Sequence, residues 1–343
     1  MAIALFLALH LLTLIFWSLL CRLGISLADV TDFKSYRIPL AAIVAVFGAQ
    51  ILNALFVMQM AKANMPPNVA SLVAWFVQAG LWGSVSVLAI SSIIRIPVAR
   101  SIKVALPTFL GPAATLMLTV YLFKPFVFDA FVVPASSMAP TILGRHLSSV
   151  CEECGAPRYG GISPNSPMPD ENTEFDMICE NFHVTASPTP DKQVYSGDRV
   201  LVSKFRKPKR WDLVVFKIPF EPDVLFVKRL VGLPGETITI QDGAVYANGK
   251  ELVLPPALNG LSYADSFETD WPGHVRLWGN VDKPAKLGED EYFVLGDNTY
   301  NSADSRVWQE QYDDVHHPYG LPKENIIGVV SEIYWPISRW RSF

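Results

Sequence analysis

The first 123 residues consist of long apolar runs separated by short charged segments. Four runs contain no charged residue and have lengths of 21, 24, 32 and 20 residues: 1–21, 38–61, 63–94 and 104–123. A helix of about 20 apolar residues is long enough to cross the hydrocarbon core of a bilayer. Four buried core helices of this kind in succession would be unusual in a soluble protein. The pattern therefore predicts a membrane domain of about four transmembrane helices over residues 1–123.

Basic residues are concentrated in two of the loops between these runs. The loops at 22–37 and 95–103 hold three basic residues each, whereas the loop around Lys62 holds one. Short loops rich in Lys and Arg stay on the cytoplasmic side of the membrane, so the N-terminus is expected outside. The fourth helix then delivers the chain to the outer face at about Lys124. We expect a multi-pass protein of the cytoplasmic membrane whose residues 124–343 are extracytoplasmic.

The second part of the chain has the pattern of a β domain, with short apolar runs broken by Gly, Pro and Asp. Branched and aromatic residues are concentrated at 200–202, 213–216, 224–231 and 237–240. The dipeptides Asp242-Gly243 and Asn248-Gly249 are signals for tight hairpin turns. We predict a mainly antiparallel β domain over residues 124–343. Two stretches rich in proline, 146–193 and 255–284, are predicted to be surface insertions.

Composition and charge support this division. Charged residues make up 17% of the chain, compared with roughly 25% in soluble domains, and the deficit falls in residues 1–123. The net charge is −4, and the excess of acidic residues lies in the second part. Phosphate binding needs clustered positive charge, so a nucleic-acid partner is not expected. The lipid bilayer is the expected partner of the first part.

Four motifs in the second part carry the functional information. In chain order they are VPASSMAPT at 133–141, GDRVLVSKF at 197–205, VKRLVGLPGE at 227–236 and GDNTYNSADSR at 296–306. This set, in this order behind a membrane anchor, resembles the type I signal peptidases. These are serine–lysine proteases that remove signal peptides from exported proteins. The resemblance covers about residues 131–343 apart from the two insertions.

The resemblance implies a set of site residues and a substrate class. Ser137 would be the nucleophile and Lys228 the general base, with Ser302 hydrogen-bonding to the lysine and orienting it. Asp304 and Arg306 would form a structural ion pair near the site. The substrates would be the signal peptides of exported preproteins, bound by strand addition with small side chains at positions −1 and −3. No cofactor would be needed for catalysis.

The residues themselves agree with a serine–lysine dyad. A hydroxyl nucleophile needs a base within hydrogen-bond reach, and prolines on both sides of Ser137 restrict its backbone. In a strand over 224–231, alternation places Lys228 on the apolar face, where burial lowers the pKa of its amine. Arg229 points the other way and cannot act as a base. Taken alone, Ser137 also fits a turn serine, and Lys228 fits an edge-strand lysine that prevents aggregation.

The sequence departs from the family at the expected oxyanion hole. The family commonly has a serine two residues before the nucleophile, and its hydroxyl helps to bind the oxyanion. Here that residue is Ala135, Ser136 replaces a frequent glycine, and Thr299-Tyr300 replaces a frequent arginine-aspartate. The second oxyanion donor is then either the Ser136 hydroxyl or another backbone N–H. Of these two we expect the Ser136 hydroxyl, although alternation along an extended segment would point it away from the faces of Ala135 and Ser137.

The insertion at 146–193 carries three of the four cysteines. Cys151 and Cys154 are separated by two residues, and Cys179 and His183 follow them. Three thiolates and one imidazole at such spacings can hold a tetrahedral structural zinc ion. The alternatives are a disulfide such as Cys151–Cys154, which extracytoplasmic conditions permit, and a degenerate remnant with neither.

Three competing functions find less support in the sequence. A Ser-His-Asp triad would need a histidine motif, and none surrounds any of the six histidines. A transporter or channel would need ionisable residues within the membrane, and the four apolar runs hold none beyond His10. The main alternative is a non-catalytic, membrane-anchored binding module that uses the metal-binding insertion for recognition. Such a module would tolerate the loss of Ser137 or Lys228.

Overall fold

The chain divides into two compact units, Met1–Lys124 and Pro125–Phe343. The computed structural model describes residues 2–62, 67–110, 117, 121, 127–162, 174–188, 193–266 and 277–343. The first unit is helical, and the second consists of β-strands joined by turns and short 3₁₀ segments.

Long apolar helices form the first unit. They are α1 Ala2–Leu27, α2 Arg37–Lys62, α3 Pro67–Ala89 with a π-helical continuation at Ile90–Ile94, and the short α4 Val98–Ala105, which runs into a 3₁₀ turn at Leu106–Phe109. Three segments are long and apolar enough to cross a membrane: His10–Leu27, Arg37–Phe56 and Phe76–Ile94. This confirms the predicted apolar helices for three runs. Most of the fourth run, at 104–123, lies outside the described residues.

Small residues let the helices of this unit approach one another closely. Ala41, Ala45 and Ala49 lie four residues apart on α2 and are fully or almost fully buried. Small side chains at such spacings are typical of helices that pack within a bilayer. Large apolar residues point outward instead, and Leu19 and Leu55 are each more than half exposed. A water-facing surface would rarely carry so much exposed apolar area.

An eight-stranded antiparallel sheet forms the centre of the second unit. Its strands are β1 Phe128–Val132, β6 Arg199–Ser203, β7 Leu213–Ile218, β8 Glu221–Gly232, β13 Glu291–Leu295, β14 Leu321–Pro322, β15 Ile326–Trp335 and β16 Arg341–Ser342. They are ordered β1-β6-β15-β7-β8-β13-β14, with β16 paired to β15. Strands β6 to β8 cover the runs that the sequence predicts at 200–202, 213–216 and 224–231, so the mainly antiparallel β prediction is confirmed.

A second sheet contains the predicted hairpins. Its strands are β9 Thr237–Gln241, β10 Ala244–Ala247, β11 Lys250–Glu251 and β12 Ala285–Lys286, ordered β11-β10-β9-β12. Asp242 and Gly243 have φ values of 51° and 82°, and Asn248 and Gly249 have 52° and 77°. Two successive residues with positive φ match the right-handed twist of the flanking strands, which is why Asp-Gly and Asn-Gly occupy these turns.

The described residues of the stretch at 146–193, which the sequence predicts as a surface insertion, form a third antiparallel sheet. Its strands are β2 His146–Val150, β3 Pro157–Gly161, β4 Glu174–Cys179 and β5 Val184–Pro188, in chain order across the sheet. Tyr159 and Ile178 pack against Leu143 in a small core of their own. Few strand positions in this stretch face the small core, so most of its residues are polar. The apolar pattern that would predict strands is therefore weak here.

Candidate active site

Ser137 lies in a tight turn between β1 and β2, on the second unit. The next residues, Met138 and Ala139, are completely buried and anchor the turn in the protein. The backbone N–H of Asn298 donates a hydrogen bond to the Ser137 carbonyl at 3.0 Å, and the Asn298 side-chain amide lies 3.4 Å from the Ser136 carbonyl. The half-buried Ser137 hydroxyl is thus held on a turn that the 296–306 segment fixes from the other side.

Lys228 projects from the middle of β8, opposite Val214 of β7. Its side chain is 3% exposed, and its Nζ donates a hydrogen bond to Ser137 Oγ at 2.6 Å. The ammonium also lies 4.7 Å from the centre of the Phe226 ring. Removal from water disfavours the charged form of an amine, and the pKa of Lys228 falls to about 8. Residues 91 positions apart in sequence are therefore brought into direct contact.

Two buried arginine–carboxylate pairs lie beside this contact. Arg229, the neighbour of Lys228, makes a bidentate pair with Asp297 at 2.7 and 2.5 Å. Arg306 makes a second bidentate pair with Asp304 at 2.9 and 2.8 Å, and both of these side chains are 0% exposed. Each pair places a planar guanidinium against a carboxylate, the geometry in which such bonds are strongest. Because each pair is neutral overall, Lys228 is surrounded by compensated charges.

The Asp304–Arg306 pair also organises the 296–306 segment. Asp304 accepts a hydrogen bond from the backbone N–H of Gly296 at 2.9 Å. Arg306 donates to the carbonyl and to the hydroxyl of Thr299, both at 2.8 Å, and to the carbonyl of Ala264 at 2.9 Å. Burial raises the pKa of Asp304, but the adjacent Arg306 outweighs burial and holds that pKa below its usual range. The carboxylate is therefore charged at any pH near neutrality.

Ser302, which the resemblance implies as the residue that orients Lys228, makes no hydrogen bond to it in this structure. Within the described part of the chain, its Oγ is buried and has no hydrogen-bond partner, so a bond to Lys228 is not formed. The hydroxyl lies against Gly296, where an added Cβ would come within 2.1 Å of it. Gly296 thus makes room for Ser302 close to the turn that carries Ser137.

The Ser136 hydroxyl is directed toward the third sheet. Its Oγ lies 3.5 Å from the carbonyl oxygen of Arg145, and a Cβ added at Gly161 would lie 2.7 Å from it. This direction agrees with the alternation that the sequence predicts for this segment.

A cleft of about 400 Å³ opens beside Ser137 and Lys228. Its walls come from β1, the serine turn, the first half of β8, and Gly161-Ile162 at the end of β3. The lining is mostly apolar, and none of the described residues that line it is a histidine. β1 lies at the edge of its sheet, and β13 pairs with β8 only from Arg229 onward. Among the described residues, one edge of each of these two strands therefore pairs with no other strand beside the cleft.

The predicted metal ligands also come together. One side-chain ligand atom from each of Cys151, Cys154, Cys179 and His183 lies within 4.8 Å of the other three. All four cysteines of the chain are free, so the disulfide alternative is not formed. This cluster lies on the third sheet and does not line the cleft.

Sequence reasoning missed the partner of Arg229 and the support from the second predicted insertion. Asp297 lies in the quoted 296–306 motif, but nothing in the sequence pairs it with a particular arginine. Ala264 lies within the stretch at 255–284, which the sequence presents only as a surface insertion. Its carbonyl accepts from Arg306 and its N–H donates to Thr299 Oγ1 at 2.8 Å. Part of that stretch is therefore built into the site.

Comparison with known proteins gives a consistent set of similarities. The family model "Signal peptidase, peptidase S26" matches residues 175–335, a segment that contains Lys228 and the 296–306 motif but begins after Ser137. The chain is 36% identical over 155 residues to Signal peptidase I of Bacillus licheniformis, covering 44% of this chain and 74% of that protein. It is 27% identical over 237 residues to Signal peptidase I of Pseudomonas fluorescens, covering 63% and 69% respectively.

A third relative is matched over a shorter share of its length. The chain is 32% identical over 155 residues to Signal peptidase I of Leptolyngbya laminosa. The match covers 42% of this chain and 63% of that protein, so it spans just under two thirds of the relative.

The buried Asp304–Arg306 pair leads to a prediction about stability. Asp304→Asn removes the negative charge and leaves the Arg306 guanidinium buried without compensation. We expect the free energy of unfolding of the full-length protein to fall by about 3–5 kcal/mol. Chemical denaturation followed by tryptophan fluorescence would measure this change. The exposed Glu251 provides the control, since Glu251→Gln should change stability by less than about 0.5 kcal/mol. Equal stability of the two variants would contradict the assigned role of the pair.

Proposed function

The chain belongs to the signal peptidase I family, peptidase S26, and on that premise we propose that it is a membrane-bound serine endopeptidase that cleaves N-terminal signal peptides from exported preproteins. The observation that carries the proposal is the 2.6 Å hydrogen bond from Lys228 Nζ to Ser137 Oγ. Acyl transfer needs at least a nucleophile that is hydrogen-bonded to a base of suitable pKa. The alternative of a non-catalytic binding module is not favoured, because the relatives are named as peptidases.

In the proposed reaction, neutral Lys228 accepts the proton of the Ser137 hydroxyl while Ser137 Oγ attacks the scissile carbonyl carbon. The lysine ammonium then returns that proton to the nitrogen of the leaving segment as the peptide bond breaks. The signal peptide remains attached to Ser137 as an ester. Water, deprotonated by Lys228, attacks this ester and releases the signal peptide with regeneration of the serine. Every proton transfer passes through one amine, and the steps need no cofactor.

The polar groups around the dyad have supporting roles in this proposal. Once Lys228 is protonated it needs an acceptor, and the unpartnered Ser302 hydroxyl can supply one after a rotation of its side chain. We therefore keep Ser302 as the residue that orients the lysine during turnover. Asp304 and Arg306 fix the segment that carries Ser302. The developing oxyanion accepts hydrogen bonds from the N–H of Ser137 and from a second backbone N–H. A side chain is not the second donor in this proposal, because Ala135 has no hydroxyl and the Ser136 hydroxyl points toward the Arg145 carbonyl.

The cleft supports an extended peptide as the substrate. The strand edges along the cleft, on β1 and on the first half of β8, can pair with a strand laid between them. The apolar lining suits the uncharged segment that precedes a signal peptide cleavage site. Small side chains at positions −1 and −3 remain the expectation from the family.

We propose that the helical unit anchors the enzyme as a multi-pass protein of the cytoplasmic membrane. The basic loops at 22–37 and 95–103 would face the cytoplasm, and the β unit would face the opposite side. This topology requires an even number of membrane spans, so it needs a fourth crossing, which the sequence predicts at 104–123. Exported proteins would meet the cleft on the outer face.

The dyad generates the first prediction about activity. Ser137→Ala and Lys228→Met should each lower preprotein cleavage by roughly 10³-fold or more, and the double variant should lose little further activity, because nucleophile and base act as a unit. Methionine fills the buried space of the lysine stem without the amine. The measurement is the rate of cleavage of a purified preprotein by the detergent-solubilised enzyme. The exposed Lys250 gives a matched control, Lys250→Met, which should keep full activity. A Lys228→Met enzyme within tenfold of the native rate would exclude lysine as the base.

The pH dependence follows from the lowered pKa of Lys228. The amine is charged and inactive below its pKa and neutral above it, so kcat/KM should rise with pH around a midpoint of about 8. Free lysine would place this midpoint at about 10.4. Measuring kcat/KM for one preprotein from acidic to alkaline pH would locate this midpoint. A midpoint near about 6.5 that disappears in a histidine variant such as His146→Asn would instead indicate a histidine base.

The proposed topology predicts which side of the membrane exposes the β unit. A protease added to intact spheroplasts should degrade the segment after Lys124, whereas the same protease added to inside-out vesicles should leave it whole. Immunoblotting with an antibody against the C-terminal segment would record the outcome. A cytoplasmic marker protein controls for leakage. Degradation only in inside-out vesicles would reverse the proposed orientation.

A further inference from the structure

The third sheet contains a cluster of soft ligands that the proposed reaction does not use. We propose that Cys151, Cys154, Cys179 and His183 bind one structural zinc ion, and that this ion fixes the sheet forming one wall of the substrate cleft. Zinc binding itself does not depend on the proposed peptidase activity. The proposal rests on where the chain places the four ligands, on the distances between them, and on what the sheet contacts at its other end.

The four ligands lie on two hairpin turns at the same end of the sheet. Cys151 and Cys154 belong to the turn between β2 and β3, whereas Cys179 ends β4 and His183 precedes β5. Since the strands are antiparallel and follow one another in order, these two turns are adjacent. One metal ion would therefore join two hairpins that are each only five or six residues long per strand. Short isolated hairpins are marginally stable without such a constraint.

The distances match tetrahedral coordination. Cys154 Sγ lies 3.8 Å from Cys179 Sγ, and Cys151 Sγ lies 3.9 Å from His183 Nδ1. Thiolates at about 2.3 Å from a tetrahedral zinc ion are separated by about 3.8 Å. A disulfide would need sulfurs about 2.05 Å apart. The ligand atoms are thus spaced for a metal between them and not for a bond.

Backbone amides are aimed at the sulfur of Cys179. The N–H groups of Asn181 and His183 each donate to its Sγ at 3.3 Å, and the Asn181 side chain donates to Cys154 Sγ at 3.3 Å. Donors of this kind orient and stabilise ligating thiolates. The carboxylate of Glu153 also approaches the cluster, with an oxygen 3.5 Å from His183 Nδ1. Its exposed side chain makes it a neighbour to be tested as a competing ligand.

The chemistry of the four ligand side chains favours zinc over the other common metals. Three thiolates and one imidazole form a closed, four-coordinate set of the kind found in structural zinc sites. Hard cations such as Mg²⁺ and Ca²⁺ prefer oxygen ligands. No open position is left for water, so this ion would hold the fold and would not take part in peptide hydrolysis.

The sheet carries this constraint toward the substrate cleft in two ways. Gly161, at the far end of β3, lines the cleft next to the serine turn. Phe182, between two proposed ligands, has a left-handed φ of 64° and packs against the core of the second sheet. A Cβ at Gly260 would lie 2.9 Å from the carbonyl of Asn181, so the ligand turn also rests on the segment that leads to Ala264. Zinc at one end of the sheet would thus hold Gly161 at the cleft, and would hold the ligand turn against the second sheet and Gly260.

The test measures metal directly in a proteolytically inactive background. Full-length Ser137→Ala protein, purified in detergent without chelators, should contain about one zinc per chain by elemental analysis. Cys154→Ser in the same background should reduce this content about tenfold or more. Cys21→Ser and Glu153→Gln are matched controls and should both retain the full content. Cobalt-substituted protein should show thiolate-to-cobalt charge-transfer absorption that Cys154→Ser removes.

A second readout tests the structural role of the ion. Removal of zinc with a strong chelator should accelerate amide hydrogen exchange in peptides from 146–162 and 174–188, and added zinc should restore protection. Metal-free native protein, iron in place of zinc, or a disulfide detected by alkylation without reduction would overturn the proposal. Zinc loss in Glu153→Gln with retention in His183→Asn would overturn the assigned ligand set. Failure of signal peptide cleavage would leave all these results unaffected.

Discussion

The burial of Lys228 is the constraint on which the rest of the site depends. An amine removed from water loses the hydration that favours its charged form, so its pKa falls into the range where a neutral base is available. An unpaired carboxylate nearby would favour the ammonium and raise this pKa again, whereas an unpaired guanidinium would repel the ammonium. Two bidentate pairs, Arg229–Asp297 and Arg306–Asp304, avoid both effects because each guanidinium has its own carboxylate. The dyad can therefore form inside the protein with its surroundings nearly neutral.

These pairs also connect parts of the chain that are remote in sequence. Arg229 is beside Lys228 on β8, and its partner belongs to the segment that holds the Ser137 turn through Asn298. Arg306 extends the network to Ala264, within the stretch at 255–284. The third sheet adds a further wall beside the serine turn. Each predicted insertion thus contributes described residues to the site: Ala264 bonds Arg306, and Gly161 and Ile162 line the cleft.

Local patterns were sufficient to predict much of this architecture. Apolar runs indicated the helices, short runs of branched and aromatic residues indicated the strands at 200–202 and 224–231, and the Asp-Gly and Asn-Gly dipeptides indicated hairpin turns that the backbone confirms. The motifs selected Ser137 and Lys228, which the fold places in contact. Non-local pairing could not be predicted, because nothing in the sequence assigns Asp297 to Arg229. Ser302 illustrates the same limit, since a motif identifies a residue but does not determine the rotamer of its side chain.

Because the proposed reaction needs a Lys228 amine of lowered pKa, direct titration of that one group is the most direct test of the mechanism. Nuclear magnetic resonance of the full-length protein with isotope-labelled lysine side chains would follow the Lys228 resonance, identified by its absence in Lys228→Met, as the pH is raised. We expect this amine to lose its proton with a midpoint near pH 8, while exposed lysines remain charged. If the Lys228 amine instead stayed protonated up to about pH 10, as in an ordinary lysine, Lys228 would not be the neutral base that the mechanism requires.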